Sequence, residues 1–449
     1  MPNHSFESEM LRSMADIQPL QGIRYVSQAV GDLSQVVAPP YDVISEEAQA
    51  RYYARNPYNI IRLELGRDEP GDTILNNRYT RAATMLAEWR VEDILREDDA
   101  PRYYCYQQVF TYSGQSYTRT SLLARVRLEP WSARVVLPHE QTLAKPKSDR
   151  LKLMEACATN ISPIMSLYDD PQGRMRKLLS SYAADPEIKI IDEAQEEHRL
   201  QAITDEQSIA LIQDFFSERR LYIADGHHRY ETALNYREEV LAMRKDLHSD
   251  DAVNFVLMAL IDLDDPGLLV LPTHRLVSSL SQDALAALSN QRLGQYFTVR
   301  ELAMGDYPPE VPLQMLAQAD GDVPSCVICT AEQSWLVSLN EQGKARMEHT
   351  GHSTAWNALD VAVAHTLILE ALLGLTADDL TAGTHVRYTR DTQQALQAVQ
   401  KGEAQVAVLL NPTRVRQICE VAEADDRMPQ KSTYFYPKLI TGLVMNPLW

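Results

Sequence analysis

The stretch that most constrains the fold is Ile223-Ala224-Asp225-Gly226-His227-His228-Arg229-Tyr230. It is entered from the apolar, strand-like Leu221-Tyr222-Ile223 and leaves into a run from Tyr230 to Lys245 rich in Glu, Ala, Leu and Arg. Such a chain makes a strand, turns sharply at the glycine and starts a helix. Gly226 lets a ligand approach the backbone, and the helix N-terminus behind it offers free N–H groups and a partial positive charge. Arg229 supplies a planar fork of donors suited to phosphate. His227 and His228 can donate to the same anion or carry protons. With Asp225 as the acid, the turn reads as a phosphate grip. The competing reading of the same residues is an ordinary Asp-Gly turn with a solvated helix end.

At 449 residues the chain exceeds one typical core, so two or three domains are expected. The predicted parts are a disordered leader over 1–17, an N-terminal α+β part over 18–200, a central part over 201–345 carrying the turn, and a C-terminal α/β part over 346–449. The net charge of −19 repels a nucleic-acid backbone, so no DNA partner is expected. No apolar run approaches the roughly 18 residues that span a bilayer. Met1 to Met14 holds acids and no apolar signal core, so no membrane partner is expected and the default location is cytoplasmic. The five cysteines are scattered. Cys326-Val327-Ile328-Cys329 has redox spacing but lies in an apolar run and lacks a second pair, which favours buried small hydrophobes over a metal.

Along the chain, strands alternate with helices. Val36 to Ile44 reads as a strand running into a Pro-fixed turn, and Ile60 to Leu65 as a half-buried strand. Ser45 caps a helix to about Asn56, and Asn76 to Glu92 is helical. Tyr103 to Tyr112 and Gln115 to Arg127 form a hairpin about Ser113-Gly114. Ile164 to Tyr168, Ile188 to Asp192 and Gln195 to Thr204 read as strands, and Asp205 to Arg219 as an amphipathic helix. Tyr307 to Pro312 is a Pro-rich loop. A long apolar helix follows Asp360, then a helix from Thr392 and a strand from Ala404. The class is α/β, in a mixed α+β arrangement.

Three other stretches place polar groups where a fold alone would not ask for them. Pro138 to Arg150 holds His139, Glu140, Lys145, Lys147 and Arg150, the chemistry for phosphate oxygens plus a proton. A charged surface loop would look the same. Thr273, His274 and Arg275 close an apolar run, where α/β sheets tend to hold ligands. Lys431, Ser432 and Thr433 resemble the end of a P-loop without its glycines, and a packed C-terminal arm is the alternative. If these clusters converge, they make a positive pocket on an acidic protein, which favours a small anionic or nucleotide ligand. Asp42, Glu64 and Asp225 are the candidate acids, with Asp225 also the candidate metal ligand.

The chain resembles domain-of-unknown-function family 1015. The blocks that carry the resemblance run from Val37-Ala38-Pro39-Pro40-Tyr41-Asp42 through Pro138-His139-Glu140, Lys147-Ser148-Asp149-Arg150 and Asn160-Ile161-Ser162-Pro163. They continue through Ala224 to Ala233 and Pro272-Thr273-His274-Arg275 to Met428-Pro429-Gln430-Lys431-Ser432-Thr433. Members of that family are often labelled ParB-like. The Asp225–Arg229 block is also similar to the phosphate loop of free-serine kinases on the ParB/sulfiredoxin scaffold. The resemblance implies a core of that type around the strand-turn-helix loop. A sulfiredoxin itself is disfavoured, because no cysteine stands beside the histidines.

What the resemblance implies is a small-molecule kinase. It would move a phosphoryl group from ATP, ADP or pyrophosphate to a hydroxyl such as that of free serine. Asp225, His227, His228, Glu64 and Asp42 are the candidate catalytic residues, with Mg2+ at Asp225. Gly226, Arg229, His139, Glu140, Lys147, Arg150, Asn160, Thr273, His274, Arg275, Lys431, Ser432 and Thr433 are the candidate phosphate- and substrate-binding residues. The alternatives are a ParB-like nucleotide-binding regulator and a metal-dependent phosphoester hydrolase. The hydrolase has a possible metal pair in His227 and Glu231, one helical turn apart. On this reading Arg229→Ala weakens ligand binding and changes stability little.

Overall fold

Ser113 and Gly114 both adopt positive φ, 48° and 77°, the backbone a two-residue hairpin turn requires. They join Tyr103–Tyr112 to Gln115–Arg127 in antiparallel register, Tyr112 opposite Gln115. This hairpin is the middle of a mixed sheet of nine strands among the described residues. On one side Tyr103–Tyr112 pairs with Glu197–Ile203, which pairs in turn with Ile188–Ile191. On the other, Gln115–Arg127 pairs with Phe255–Asp262, then Ile164–Tyr168, Leu221–Asp225 and Val136–Leu137. The computed structural model describes residues 14–142, 144–302, 310–319, 321 and 323–449.

The chain forms two compact units. The first comprises the described residues through Pro138, then Thr142–Leu269 and the returning tail Pro437–Trp449; the second comprises His139–Gln141 and Val270–Tyr436. In the first, Phe255–Asp262 is buried along its whole length, as a central strand must be. Helices Glu206–Phe216 and His227–Met243 contribute Ile212, Phe215, Phe216, Tyr230 and Ala233 to the core beside it. A second apolar cluster gathers Ile60, Ile61, Leu63, Leu86 and Trp89 with Met445 of the tail. The second unit is built on a sheet of six strands among the described residues, whose inner strands are Ser334–Leu339, Ser325–Cys329, Val406–Leu410 and His274–Val277.

The class is mixed α+β, as the alternation predicts. Of two expected strands, one is helical and the other is a single bridge before its turn. Ile61–Glu64 is a helical turn, started by buried Asn59, whose side chain accepts from Ile61 N–H at 3.0 Å. The pattern Ile-Ile-Arg-Leu-Glu fits either period, and the local side-chain bond decides. Val36–Ile44 makes one bridge, Ala38 to Thr441, then a 3-10 turn at Tyr41–Val43, because Pro39 and Pro40 have no N–H to continue a ladder. Residues 1–13 of the expected leader lie outside the described residues, while Ala15 and Ile17 are already buried in the core. Of the expected Pro-rich loop, 307–309 lie outside the described residues and Glu310–Gln318 is a helix. All five cysteines are buried thiols, and burial pushes the Cys326 thiol well up. Among the described residues no helix is long and apolar enough to cross a membrane.

Candidate functional site

The site is built on the end of Leu221–Asp225. Its register against Ile164–Tyr168 shifts between Ile223 and Asp225. A shift of that kind re-aims the last side chain of a strand. Gly226 follows at φ 98° and is the N-cap of the 17-residue helix His227–Met243. Two facts make glycine necessary there. The φ is in the region that L side chains rarely adopt. A Cβ would also lie 2.9 Å from Arg229 Nη2 and 3.0 Å from Cζ. The Arg229 guanidinium therefore folds back across the turn, donating from Nη2 to Asp225 Oδ2 at 2.9 Å and from Nη1 to the Pro163 carbonyl.

Lys438 Nζ donates to the other oxygen of Asp225. Burial raises the pKa of the Asp225 carboxyl, but Lys438, then Arg229 and His227, outweigh it and hold the group well below the usual range. Asp225 is thus an anion at every physiological pH. Both its oxygens face cations, so the set does not fit Mg2+ at Asp225: a third cation there meets two already in contact. His227 is 2 % exposed, whereas His228 is half-buried.

Arg229 also lines a small cavity with Glu64, Arg150, Asn160 and Ser162, closed by apolar Leu153, Met154, Ile161, Ile164 and Val256. Its volume is about 30 Å³. That admits water and is far below the several hundred Å³ of a ligand pocket. Glu64, 2 % exposed, accepts from Ser162 Oγ at 3.0 Å and lies 3.6 Å from Arg150 Nη1. Arg150 also pairs with Asp149 at 2.6 Å, and Asp149 accepts from Arg78 and Tyr79. The Arg150 guanidinium lies 4.1 Å over the Tyr41 ring. Burial pushes the Tyr41 hydroxyl up to about 12 against the pull of Arg229 and Arg150.

The first unit thus carries Asp42, Glu64, Lys147, Arg150, Asn160 and Asp225–Arg229, and brings Glu64, Arg150, Asn160 and Arg229 to one cavity. Asp42 is exposed beside Tyr41. Lys147 pairs with Glu231 at 2.8 Å, where Thr142 also donates. Asn160 Oδ1 accepts from Leu257 N–H and Asn446 Nδ2, at 3.1 and 2.9 Å. The second unit carries His139, Glu140, Thr273–Arg275 and Lys431–Thr433. There His139 Nε2 lies 3.1 Å from Thr433 Oγ1, and the Ser432 hydroxyl donates to the Pro429 carbonyl. Lys431 has φ 57°. His274 is fully buried; its Nδ1 accepts from Leu410 N–H at 3.2 Å and its Nε2 donates to Thr392 at 3.0 Å. Arg275 donates to the carbonyls of Thr273 and Lys431. Both ring nitrogens of His274 are thus engaged within the fold, and the buried Arg275 guanidinium serves backbone carbonyls.

Lys438, Tyr41 and Ser162 join this geometry without having been among the candidate site residues, although Tyr41 and Ser162 stand in the blocks that carry the family resemblance. Lys438 had one signal: it is the only basic residue in the otherwise apolar tail Pro437–Trp449.

Over residues 17–362 the chain matches the family model described as "Protein of unknown function (DUF1015)". No curated protein matches it. Among solved structures it is similar to a conserved hypothetical protein from Pyrococcus furiosus, at 12% identity and TM-score 0.35, covering 73% of this chain and 97% of that one. It is also similar to a free serine kinase variant in complex with AMP, at 11% identity and TM-score 0.36, covering 72% and 92%. A third is SbnI with C-terminal truncation from Staphylococcus aureus, at 11% identity and TM-score 0.34, covering 73% and 87%.

Proposed function

The chain belongs to the protein family of unknown function DUF1015, and from that premise we propose that it is a small-molecule kinase. It transfers a phosphoryl group from a nucleotide or pyrophosphate to a hydroxyl acceptor such as free serine, on a ParB/sulfiredoxin-like core. The observation that carries the reading is the Asp225 carboxylate, held between Lys438 and Arg229 where the Gly226 turn opens a 17-residue helix.

Phosphoryl transfer asks a protein for positioning and charge neutralisation more than for covalent chemistry. The first turn of helix His227–Met243 supplies backbone N–H groups and the positive end of the dipole for phosphate oxygens. Half-buried His228 adds a side-chain donor. Asp225, anionic throughout, accepts a hydrogen bond from the acceptor hydroxyl and orients its oxygen toward phosphorus, the hydroxyl proton passing to the transferred phosphoryl group or to solvent as the O–P bond forms and the bond to the leaving phosphate breaks. Arg229 and Lys438 fix that carboxylate and leave a net positive charge around it. Glu64 and Arg150, facing a water-sized cavity, act as supports for Arg229 rather than as groups that meet the substrate. Mg2+ belongs to this scheme as the counter-ion of the nucleotide, not as a ligand of Asp225.

The test is to supply free serine and Mg2+ with each of ATP, ADP and pyrophosphate in turn. A phosphorylated product from at least one donor supports the reading. Donor hydrolysis without acceptor replaces it with a phosphoester hydrolase. Nucleotide binding without turnover, over a panel of small hydroxyl compounds, replaces it with a nucleotide-binding regulator.

A further inference from the structure

The hairpin Ile188–Ile191 to Glu197–Ile203 holds a second cluster, in the first unit and separate in sequence from the Asp225 turn. Its turn is tight. Asp192 N–H donates to the Glu196 carbonyl at 3.0 Å and Gln195 N–H to the Asp192 carbonyl at 3.2 Å, with Gln195 at φ 63°. Glu196 N–H also donates to Asp192 Oδ1 at 2.9 Å. Two residues on, His198 shares a face of the strand with Glu196. One ligand atom from each of Asp192, Glu196 and His198 lies within 4.8 Å of the others.

The histidine supplies the independent observation. Its side chain is fully buried, and its Nε2 makes no hydrogen bond. Asp192 Oδ2 lies 3.2 Å from that nitrogen, but in a direction that no hydrogen bond uses. Nδ1 lies 2.8 Å from the Tyr106 hydroxyl, and the two rings stack at 14°. The imidazole is therefore locked in place, with one nitrogen held by a neighbour and the other, without a hydrogen bond, lying near two carboxylates. That is how a metal-binding histidine is fixed by its surroundings.

We propose that Asp192, Glu196 and His198 form a site for one divalent transition-metal ion, zinc by preference. An imidazole with two carboxylates suits Zn2+ better than Mg2+, which favours oxygen and water. Zinc bonds of about 2.0–2.2 Å put neighbouring ligand atoms roughly 3.4 Å apart, so Asp192 and His198 already stand at the right spacing. Glu196, with a carboxylate oxygen within 4.8 Å of both, supplies the third ligand. Three protein ligands leave a fourth position for water. Asp192, 15 % exposed at its side chain, gives the ion its way in. The bound ion joins the turn to the buried strand and clamps the hairpin.

The test uses the full chain, stripped with a chelator and then titrated with Zn2+, Mn2+ or Mg2+ alone. Bound metal is counted by mass spectrometry and stability is followed by Tm. The expected result is one equivalent of Zn2+ retained after desalting, a higher Tm with Zn2+ than without, and little response to Mg2+. His198→Gln is expected to weaken Zn2+ binding at least tenfold. Asp192→Asn, on the partly exposed turn, gives the same readout should the buried variant fail to fold. Loss of no zinc in either folded variant, or no equivalent retained by the native chain, overturns the proposal.

Discussion

Lys438 and Asp225 are 213 residues apart in sequence, and the ammonium of one donates directly to the carboxylate of the other. The tail that brings Lys438 back pairs Asn446 with Asn160 and Thr441 with Ala38. The charge on Asp225 therefore depends on the last segment of the first unit. Lys438→Met leaves Asp225 with Arg229 as its one contacting cation. It is expected to cost about 3 kcal/mol, the low end for breaking a buried pair. Asp225→Asn added to it recovers part of that loss. Urea unfolding of the two single variants and the double variant measures the coupling; additive losses would contradict the pairing.

Gly226→Ala strains a left-handed position and drives a methyl into the Arg229 guanidinium. The backbone alone contributes about 1–2 kcal/mol. The expected outcome is a lower Tm together with loss of ligand binding, since Arg229 must leave Asp225. A variant with native Tm and native binding would show that the turn has room the geometry denies.

Arg229 itself departs from the sequence-based expectation that its removal leaves stability almost unchanged. It is 9 % exposed and bonds both Asp225 and the Pro163 carbonyl. Arg229→Lys keeps the charge but not the fork. A loss of about 2 kcal/mol is expected, the range for a hydrogen bond to a charged group. Thermal unfolding at neutral pH reads it directly.

His274 makes a pH prediction. Burial, then Arg275, lowers its pKa from 6.5 to about 4. Between those values the unfolded chain binds a proton that the folded chain refuses. Stability is therefore intact above about pH 6.5, falls as the pH drops toward 4, and loses no more through this group below that. The full span is on the order of 3 kcal/mol. The slope of unfolding free energy between pH 4 and 6.5 should be shallower in His274→Gln than in the native chain. Equal slopes would remove His274 from the account.

Local chemistry made much of this molecule legible from sequence. Ser113-Gly114 announced its hairpin, Ser45 its helix, whose Ala48 N–H it caps, and Asp225-Gly226 its strand-turn-helix junction, because each depends on neighbours within a few residues. What was hidden depends on distant chain. Glu64 became the end of a helical turn through Asn59, whose amide is anchored on the carbonyls of Gln35 and Val37. His274 and Arg275 read as ligand-binding groups from sequence, whereas their partners Leu410, Thr392 and Lys431 lie far along the chain and no local pattern announces them. Lys438 could be seen as an isolated cation, but nothing local said which carboxylate it would meet.

The most direct test of the central claim follows the reaction by phosphorus NMR, with free serine, Mg2+ and the best of the three donors. Native protein and Asp225→Asn are compared at equal concentration, after unfolding curves confirm that both are folded. The account predicts a phosphoserine resonance that grows with native protein and is at least a hundredfold slower with Asp225→Asn, about 3 kcal/mol of lost transition-state stabilisation. Phosphoserine formed at the native rate by Asp225→Asn, or by neither protein with any donor, would contradict it.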